Sequence, residues 1–278
     1  MQDAFAHCAE LVRAADRDRF LASLFAPPER RDALHALYAF NVEIARVREA
    51  AREPLPGEIR LQWWSDVLNG ERSEEARAHP VASALLTAIT RHGLVVGTLT
   101  NLVEASRFDL YDDPMATVGD LEAYAKSRSS VLFALAAQIL GGVGAEIAAG
   151  PAGMAYAIGG LLQAFPLHSA RRQLYVPIEF LERHEVPQQD IFAGKSSAGL
   201  KAALSDLRAL AREHLRAAHR RVAALPRPII PAFLPVALVR PSLDRLERGD
   251  PFAPGEIPAW RRQWLIWRAA RNPARIAG

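Results

Sequence analysis

Cysteine and long apolar runs are the scarcest features of this 278-residue sequence, which contains a single cysteine, Cys8. One cysteine can neither form an internal disulfide nor complete a cysteine zinc cluster, so we expect a reducing compartment. The most apolar stretch, residues 152–167, includes Gln163 and is shorter than the ~20 residues that a transmembrane helix requires. The N-terminal residues lack a basic start followed by an apolar core, and they include Asp3 and Glu10, which disfavours a signal peptide and a mitochondrial presequence. The sequence therefore predicts a cytoplasmic protein.

Charge of one sign is not in excess, because 34 Lys and Arg oppose 31 Asp and Glu, which gives a formal net charge of +3. This balance disfavours a general nucleic-acid binder, so no nucleic acid is expected as a partner. Asp16 and Asp18 lie among arginines that include Arg19, and surface ion pairing is the simplest interpretation of that segment. Hydrophobic residues make up 50% of the chain, and a chain of this length can bury a full core without disulfides or a structural metal.

Apolar residues recur at three- and four-residue spacings almost throughout, whereas the alternation typical of strands is scarce. Proline and glycine mark the ends of the predicted helices. The main ones run from residue 27 to about 52, through Leu61 to about 69, and over 80–92, 95–110, 145–165, 196–225 and 258–271. Asp120 is the predicted N-cap of another helix, which reaches about residue 141. Pro166 is predicted to interrupt the helix over residues 145–165. We predict one all-α domain over residues 1–278.

Short motifs occur in a consistent order along most of the chain. They are found at residues 17–21, 37–40, 60–64, 79–81, 120–124, 163 and 175–177. Together they resemble the squalene/phytoene synthase family. The resemblance implies an isoprenoid-synthase-like helical bundle around a central cavity. Enzymes of that family join two prenyl diphosphates head to head, and two aspartate-rich clusters hold the magnesium ions that neutralise the departing diphosphate.

The first of the two aspartate-rich clusters is degenerate in this chain. In the family it follows the Tyr-Ala-Phe that lies here at residues 38–40. Asn41 comes next, and the aspartate positions hold Ala45, Arg46 and Glu49. Only Glu49 could coordinate a metal, and Arg46, one turn away, would repel a cation or pair with that carboxylate.

The second cluster is also missing. The segment that should contain it, residues 164–174, has no carboxylate and includes Pro166. We therefore expect no catalytic residues, no metal site and no cofactor. Magnesium would be required only if the chain were nevertheless an active prenyltransferase.

The residues that replace the two clusters, 40–47 and 166–177, are similar to those of a non-catalytic branch of the same superfamily, the mitochondrial complex I assembly factors. That resemblance implies an assembly or maturation role for respiratory complex I, with a complex I subunit or assembly intermediate as partner. Two alternatives stay open. One is an active head-to-head prenyltransferase, and the other is a protein that binds a prenyl lipid or an anionic lipid.

His168, Arg171, Arg172 and Tyr175 form the candidate anion site, to which Arg46 could contribute from an opposite helix. Arginine can bind phosphate with two parallel hydrogen bonds without a metal, so a prenyl diphosphate or a lipid headgroup is the expected ligand. The alternative is a purely structural loop whose arginines bind helix ends or neighbouring carboxylates.

Trp260, Trp264 and Trp267 recur at helical spacing and are flanked by arginines. Such a stripe most often packs onto a core. The alternative is an interfacial helix, since Trp and Arg both suit the headgroup region of a membrane. In that case the protein would contact the inner membrane peripherally through these three residues.

Overall fold

The computed structural model describes residues 2–50 and 53–277, and over these residues it is helical and contains no β-strand. The α-helices in chain order are α1 (Gln2–Ala15), α2 (Arg17–Ser23), α3 (Pro28–Ala45), α4 (Val47–Ala50), α5 (Pro54–Leu68), α6 (Ser73–Ala78), α7 (Pro80–His92), α8 (Val96–Ser106), α9 (Val118–Ala125), α10 (Val131–Ile139), α11 (Glu146–Gln163), α12 (Phe165–Ala170), α13 (Ile178–Arg183), α14 (Gln188–Phe192), α15 (Ala198–Val222), α16 (Val239–Arg248) and α17 (Ala259–Arg271). Three 3-10 segments (Arg107–Leu110, Arg227–Leu238, Pro273–Arg275) and a π-turn (Lys126–Ser130) complete the list. The all-α prediction is confirmed.

The helices group into two compact units whose segments interleave along the chain. The first contains the described residues of Met1–Tyr111, Val131–Ala145 and Leu225–Leu234. The second contains those of Asp112–Ser130, Glu146–Ala224 and Pro235–Gly278. The single domain over residues 1–278 stays a prediction.

The first unit is built around α3, which packs against α1, α7 and α10. Its apolar residues at three- and four-residue spacing, Leu34, Leu37, Phe40 and Ile44, are all buried. The helix ends at Ala45, and the backbone N–H of the next residue bonds back to the carbonyl oxygen of Val42. The prediction of one helix to about residue 52 is therefore wrong, since a new helix begins at Val47. Residue 52 itself lies outside the described residues.

Part of the N-terminal charge cluster is buried, so surface ion pairing is the wrong interpretation for it. Asp16 caps α2, and its carboxylate accepts hydrogen bonds from the backbone N–H and the guanidinium of Arg19. The same guanidinium lies 5.6 Å from the ring centre of Tyr38 and 5.9 Å from that of Phe133. Asp18 is buried as well. The rings of Tyr38 and Phe133 thus lie beside an ion pair that the sequence shows only as alternating charges.

The second unit is built around α11 and α15, with α16 and the π-turn packed on α11. The predicted N-cap of α9 is wrong by three residues. The hydroxyl of Thr117 accepts from the backbone N–H of Asp120 at 3.1 Å, and the Asp120 carboxylate accepts from the backbone N–H of Thr117 at 2.9 Å. This reciprocal pair is a capping box, in which the acidic residue occupies the third helical position.

The C-terminal half confirms several predicted helices and corrects two. Helices α15 and α17 lie within the predicted ranges, whereas the predicted helix to residue 141 is divided by the π-turn into α9 and α10. Pro166 occupies the first turn of α12, where its missing N–H costs no hydrogen bond, so it lies inside a new helix after the break at Ala164. In the part of the chain that the structure describes, no helix combines the length and apolarity that crossing a membrane requires.

Candidate functional site

A pocket of about 430 Å³ lies in the first unit where α3 gives way to α4. We call it the N-terminal pocket, and it is lined by Glu43, Arg46, Val47, Arg60, Trp63, Trp64 and His79. Arg46 and Val47, which follow the end of α3 at Ala45, contribute to its lining, while α5 supplies an arginine and two indole rings. The pocket therefore combines an aromatic wall with two guanidinium groups and one carboxylate.

Two polar side chains in that wall already form hydrogen bonds within the protein. The indole N–H of Trp63 donates to a carboxylate oxygen of Glu75 at 2.7 Å. The Nδ1 atom of His79 accepts from the backbone N–H of Ala82 at 3.3 Å and so caps α7. An accepting Nδ1 carries no proton, and burial, the largest cause, lowers the pKa of His79 below its ordinary value. A neutral imidazole packed 5.1 Å from the ring of Trp63 serves the structure of the wall.

The residues at the first cluster do not fit a magnesium ion. Ala45 offers no oxygen, Arg46 brings a positive charge, and Glu49 lies on α4 beyond the break in the helix, so no carboxylate pair shares one helix face. All three are exposed, and Asn41 is half-buried. Across residues 2–50 and 53–277 no group of three or more His, Cys, Asp or Glu side chains is arranged to hold a metal ion.

The second predicted cluster lies in the second unit, and the structure brings only part of it together. The rings of His168 and Tyr175 lie 4.6 Å apart, with Tyr175 buried and His168 half-buried. Arg171 is exposed, whereas Arg172 adopts a left-handed backbone conformation (φ 58°) and its guanidinium lies 4.9 Å from the ring centre of Phe192. The Arg172 contact favours the structural interpretation for that residue.

Arg46 belongs to the first unit, and the His168–Tyr175 pair belongs to the second. A joint anion site that uses both therefore stays a prediction.

The tryptophan stripe does not pack onto the core. Trp260, Trp264 and Trp267 are 70%, 46% and 48% exposed, whereas α17 buries Leu265 and Ile266 on a different face. The packing interpretation of the stripe is therefore wrong, because the smaller aliphatic residues supply the buried face of this helix.

One group of residues was missed by the sequence reasoning. A second cavity, which we call the arginine cleft, lies between α16 and α17 and is lined by Arg240, Arg245, Arg248, Arg261, Arg268 and Arg275 together with Trp264 and Asp244. A signal for it existed, since residues 258–277 contain five arginines and neither aspartate nor glutamate. The arginines of α17 were interpreted only as the flanks of the tryptophan stripe, because nothing in the sequence pairs α17 with α16.

The fold and the replaced residues can be set beside known proteins. The chain is 31% identical over 250 residues to the Rattus norvegicus protein named NADH dehydrogenase (ubiquinone) complex I, assembly factor 6, and these residues cover 89% of this chain and 75% of that protein. The Homo sapiens protein of the same name is 31% identical over 246 residues, which cover 88% and 74%. A phytoene synthase from Thermus thermophilus is 27% identical over 290 residues, which cover 96% and 94%.

Solved structures share the fold at low identity. A dehydrosqualene synthase in complex with a ligand superimposes with a TM-score of 0.84 at 15% identity, and the match covers 97% of this chain and 96% of that one. A squalene synthase from Alicyclobacillus acidocaldarius gives a TM-score of 0.71 at 21% identity, covering 97% and 95%. The sequence profile described as squalene/phytoene synthase matches residues 12–268. The chain belongs to the squalene/phytoene synthase family, with side chains at the first aspartate-rich cluster that do not suit its magnesium ions.

Proposed function

We propose that this protein is an assembly or maturation factor for respiratory complex I and that it works without a prenyl-transfer step. The observation that carries the proposal is the 31% identity with the Rattus norvegicus assembly factor over 89% of the chain. The proposed partner is a complex I subunit or an assembly intermediate. The proposed location is the cytoplasm, with peripheral contact at the inner membrane.

The N-terminal pocket supports this proposal through its charges. Arg46 lies at a position where a synthase has a metal-binding aspartate, and Arg60 adds a second positive charge to the pocket, so the pocket does not suit a magnesium-bound diphosphate. Two exposed guanidinium groups beside Trp63 and Trp64 suit a protein segment instead, since arginine and tryptophan are enriched among the residues that dominate binding at interfaces. We propose this pocket as the place where the client protein is held.

Deletion of the gene tests the proposal. We expect assembled NADH dehydrogenase to fall in the deletion strain, measured as in-gel activity against succinate dehydrogenase in the same membranes, and to return with the wild-type gene. The double variant Arg46→Glu/Arg60→Glu should fail to restore it. The matched control, Arg77→Glu/Arg91→Glu, changes the same charge at exposed residues outside the pocket and should restore it.

Two outcomes would contradict the proposal. Normal levels of assembled NADH dehydrogenase in the deletion strain would remove the assembly role. Restoration by the Arg46→Glu/Arg60→Glu variant as full as that by the wild type would remove the pocket from it.

A direct assay distinguishes the prenyltransferase alternative from the proposed assembly role. Purified protein is incubated with farnesyl or geranylgeranyl diphosphate and magnesium, and released diphosphate is measured. We expect no release above the level without protein, because this chain lacks the aspartates that hold the magnesium ions at the departing diphosphate. Each ~1.4 kcal/mol of transition-state stabilisation lost in this way lowers the rate tenfold. Clear release of diphosphate would favour the enzyme. A prenyl lipid that co-purifies in native mass spectrometry would favour the lipid-binding alternative.

A further inference from the structure

The arginine cleft is a concave and strongly basic feature of the second unit. Its volume is about 450 Å³, and both α16 and α17 contribute guanidinium groups to it. Asp244 is the one carboxylate among its described lining residues. That carboxylate accepts a hydrogen bond from Arg212 at 3.1 Å, and Arg212 also donates to Glu247 at 2.8 Å. The one carboxylate inside the cleft is therefore held by an arginine outside the cleft lining, and it shares that arginine with Glu247.

The lining arginines lack carboxylate partners of their own. Among the residues that the structure describes, none of the six forms an ion pair with Asp or Glu. The Nε atom of Arg268 is buried and has no hydrogen-bond acceptor. A buried donor without an acceptor is costly, and so are several like charges around one cavity. The repulsion among these like charges falls when an anion with several oxygens enters the cleft.

The exposed tryptophans lie beside the cleft on the same helix. The guanidinium of Arg268 lies 4.6 Å from the ring centre of Trp264, and that of Arg271 lies 5.1 Å from the ring centre of Trp267. Trp260 continues the stripe and is 70% exposed. Indole rings prefer the headgroup level of a bilayer, where their apolar body leaves water and their N–H keeps polar partners. A basic cleft bordered by exposed indoles therefore complements a surface that is anionic and also partly apolar.

We propose that the arginine cleft binds the phosphates of anionic phospholipid headgroups, with α17 lying on the membrane surface and its tryptophans at headgroup level. The six guanidinium groups supply charge and paired donors for phosphate oxygens. The tryptophans favour a lipid surface over an acidic protein segment. An acidic segment would pair with the arginines but would leave the indole rings in water. The proposal gives the membrane contact of the proposed function a specific surface. Its residues are separate from those of the N-terminal pocket, so the vesicle test below and the gene-deletion test above can fail independently.

Vesicle flotation tests the proposal with the full chain. We expect the protein to float with vesicles of phosphatidylcholine and phosphatidylglycerol and to stay behind with phosphatidylcholine alone. Binding should weaken as salt rises, because the attraction of exposed charges is screened. The variant Arg240→Gln/Arg261→Gln removes one exposed arginine from each helix of the cleft. It should lower partitioning by about 25-fold, at about fivefold for each arginine near an anionic surface.

Two further variants make the test specific. Arg77→Gln/Arg91→Gln removes the same charge from exposed residues of the first unit and should lower partitioning far less. Trp260→Ala/Trp267→Ala keeps every arginine and should also weaken flotation, while circular dichroism verifies that each variant is folded. Equal flotation with both vesicle types, or equal losses in the cleft and control variants, overturns the proposal. Binding of polyglutamate without any vesicle binding would assign the cleft to an acidic protein and also overturn it.

Discussion

A single methyl group at Gly153 should destabilise the second unit. Gly153 lies on α11 where this helix meets the π-turn, and a Cβ built there would approach Ser130 to 2.3 Å at its Cα and 2.4 Å at its backbone nitrogen. Backbone atoms cannot rotate aside, so either α11 or the turn must shift. Overpacking of this kind costs about 1–3 kcal/mol, against which alanine in a helix gains about 0.5–1 kcal/mol over glycine.

We therefore expect Gly153→Ala to lower the free energy of unfolding by about 1–2 kcal/mol, which corresponds to a Tm lower by about 2–4 °C for a chain of this size. Gly160→Ala is the matched control, because Gly160 is exposed on the same helix and a Cβ there meets nothing within 4 Å. That variant should gain up to about 1 kcal/mol. Urea titration and thermal melts of the three proteins measure both effects. If Gly153→Ala proves as stable as Gly160→Ala, the reasoning from close backbone approach is refuted.

Three further predictions concern titration and capping. Burial lowers the pKa of His35 below 6.5, so the unfolded chain takes up the proton first, and stability should be full above about pH 6.5 and decline below it. His35→Asn should make that decline shallower, and an unchanged slope would contradict this. Burial raises the pKa of the Cys8 thiol to about 12, so iodoacetamide should label it only as fast as the protein unfolds, and rapid labelling of the native protein would disprove this. Thr117→Ala removes half of a capping box and should cost about 1 kcal/mol in urea unfolding, while a loss below about 0.3 kcal/mol would count against the cap.

Helices bounded by proline and glycine were the part of the fold that the sequence predicted best. Pro80 and Gly93 bound α7 as predicted, because proline fits the first turn and Gly93 takes the left-handed conformation (φ 62°) that ends it. The breaks after Ala45 and within Lys126–Ser130 were missed. Neither carries a proline or glycine, so no local residue preference marks the change in backbone geometry.

The sequence likewise predicted one part of the candidate site and missed another. Replacement of aspartates by Ala45 and Arg46 is visible in the sequence, because whether a side chain can bind a cation depends on its own chemistry. The arrangement of the arginines was not visible. Arg172 packs on Phe192, Arg19 is buried between two rings, and Arg268 faces a cleft, although all three carry the same charge in the sequence.

The sequence by itself determined that the chain is helical, that it resembles the squalene/phytoene synthases, and that the aspartates of their first cluster are replaced. Periodicity, helix ends and side-chain chemistry are local properties, so they can be derived from the order of residues. Only the tertiary structure decided which face of α17 is buried, which arginines share the cleft with α16, and which polar groups lack a partner. Those properties depend on which elements pack together, and packing is set by contacts between residues that lie far apart in the chain.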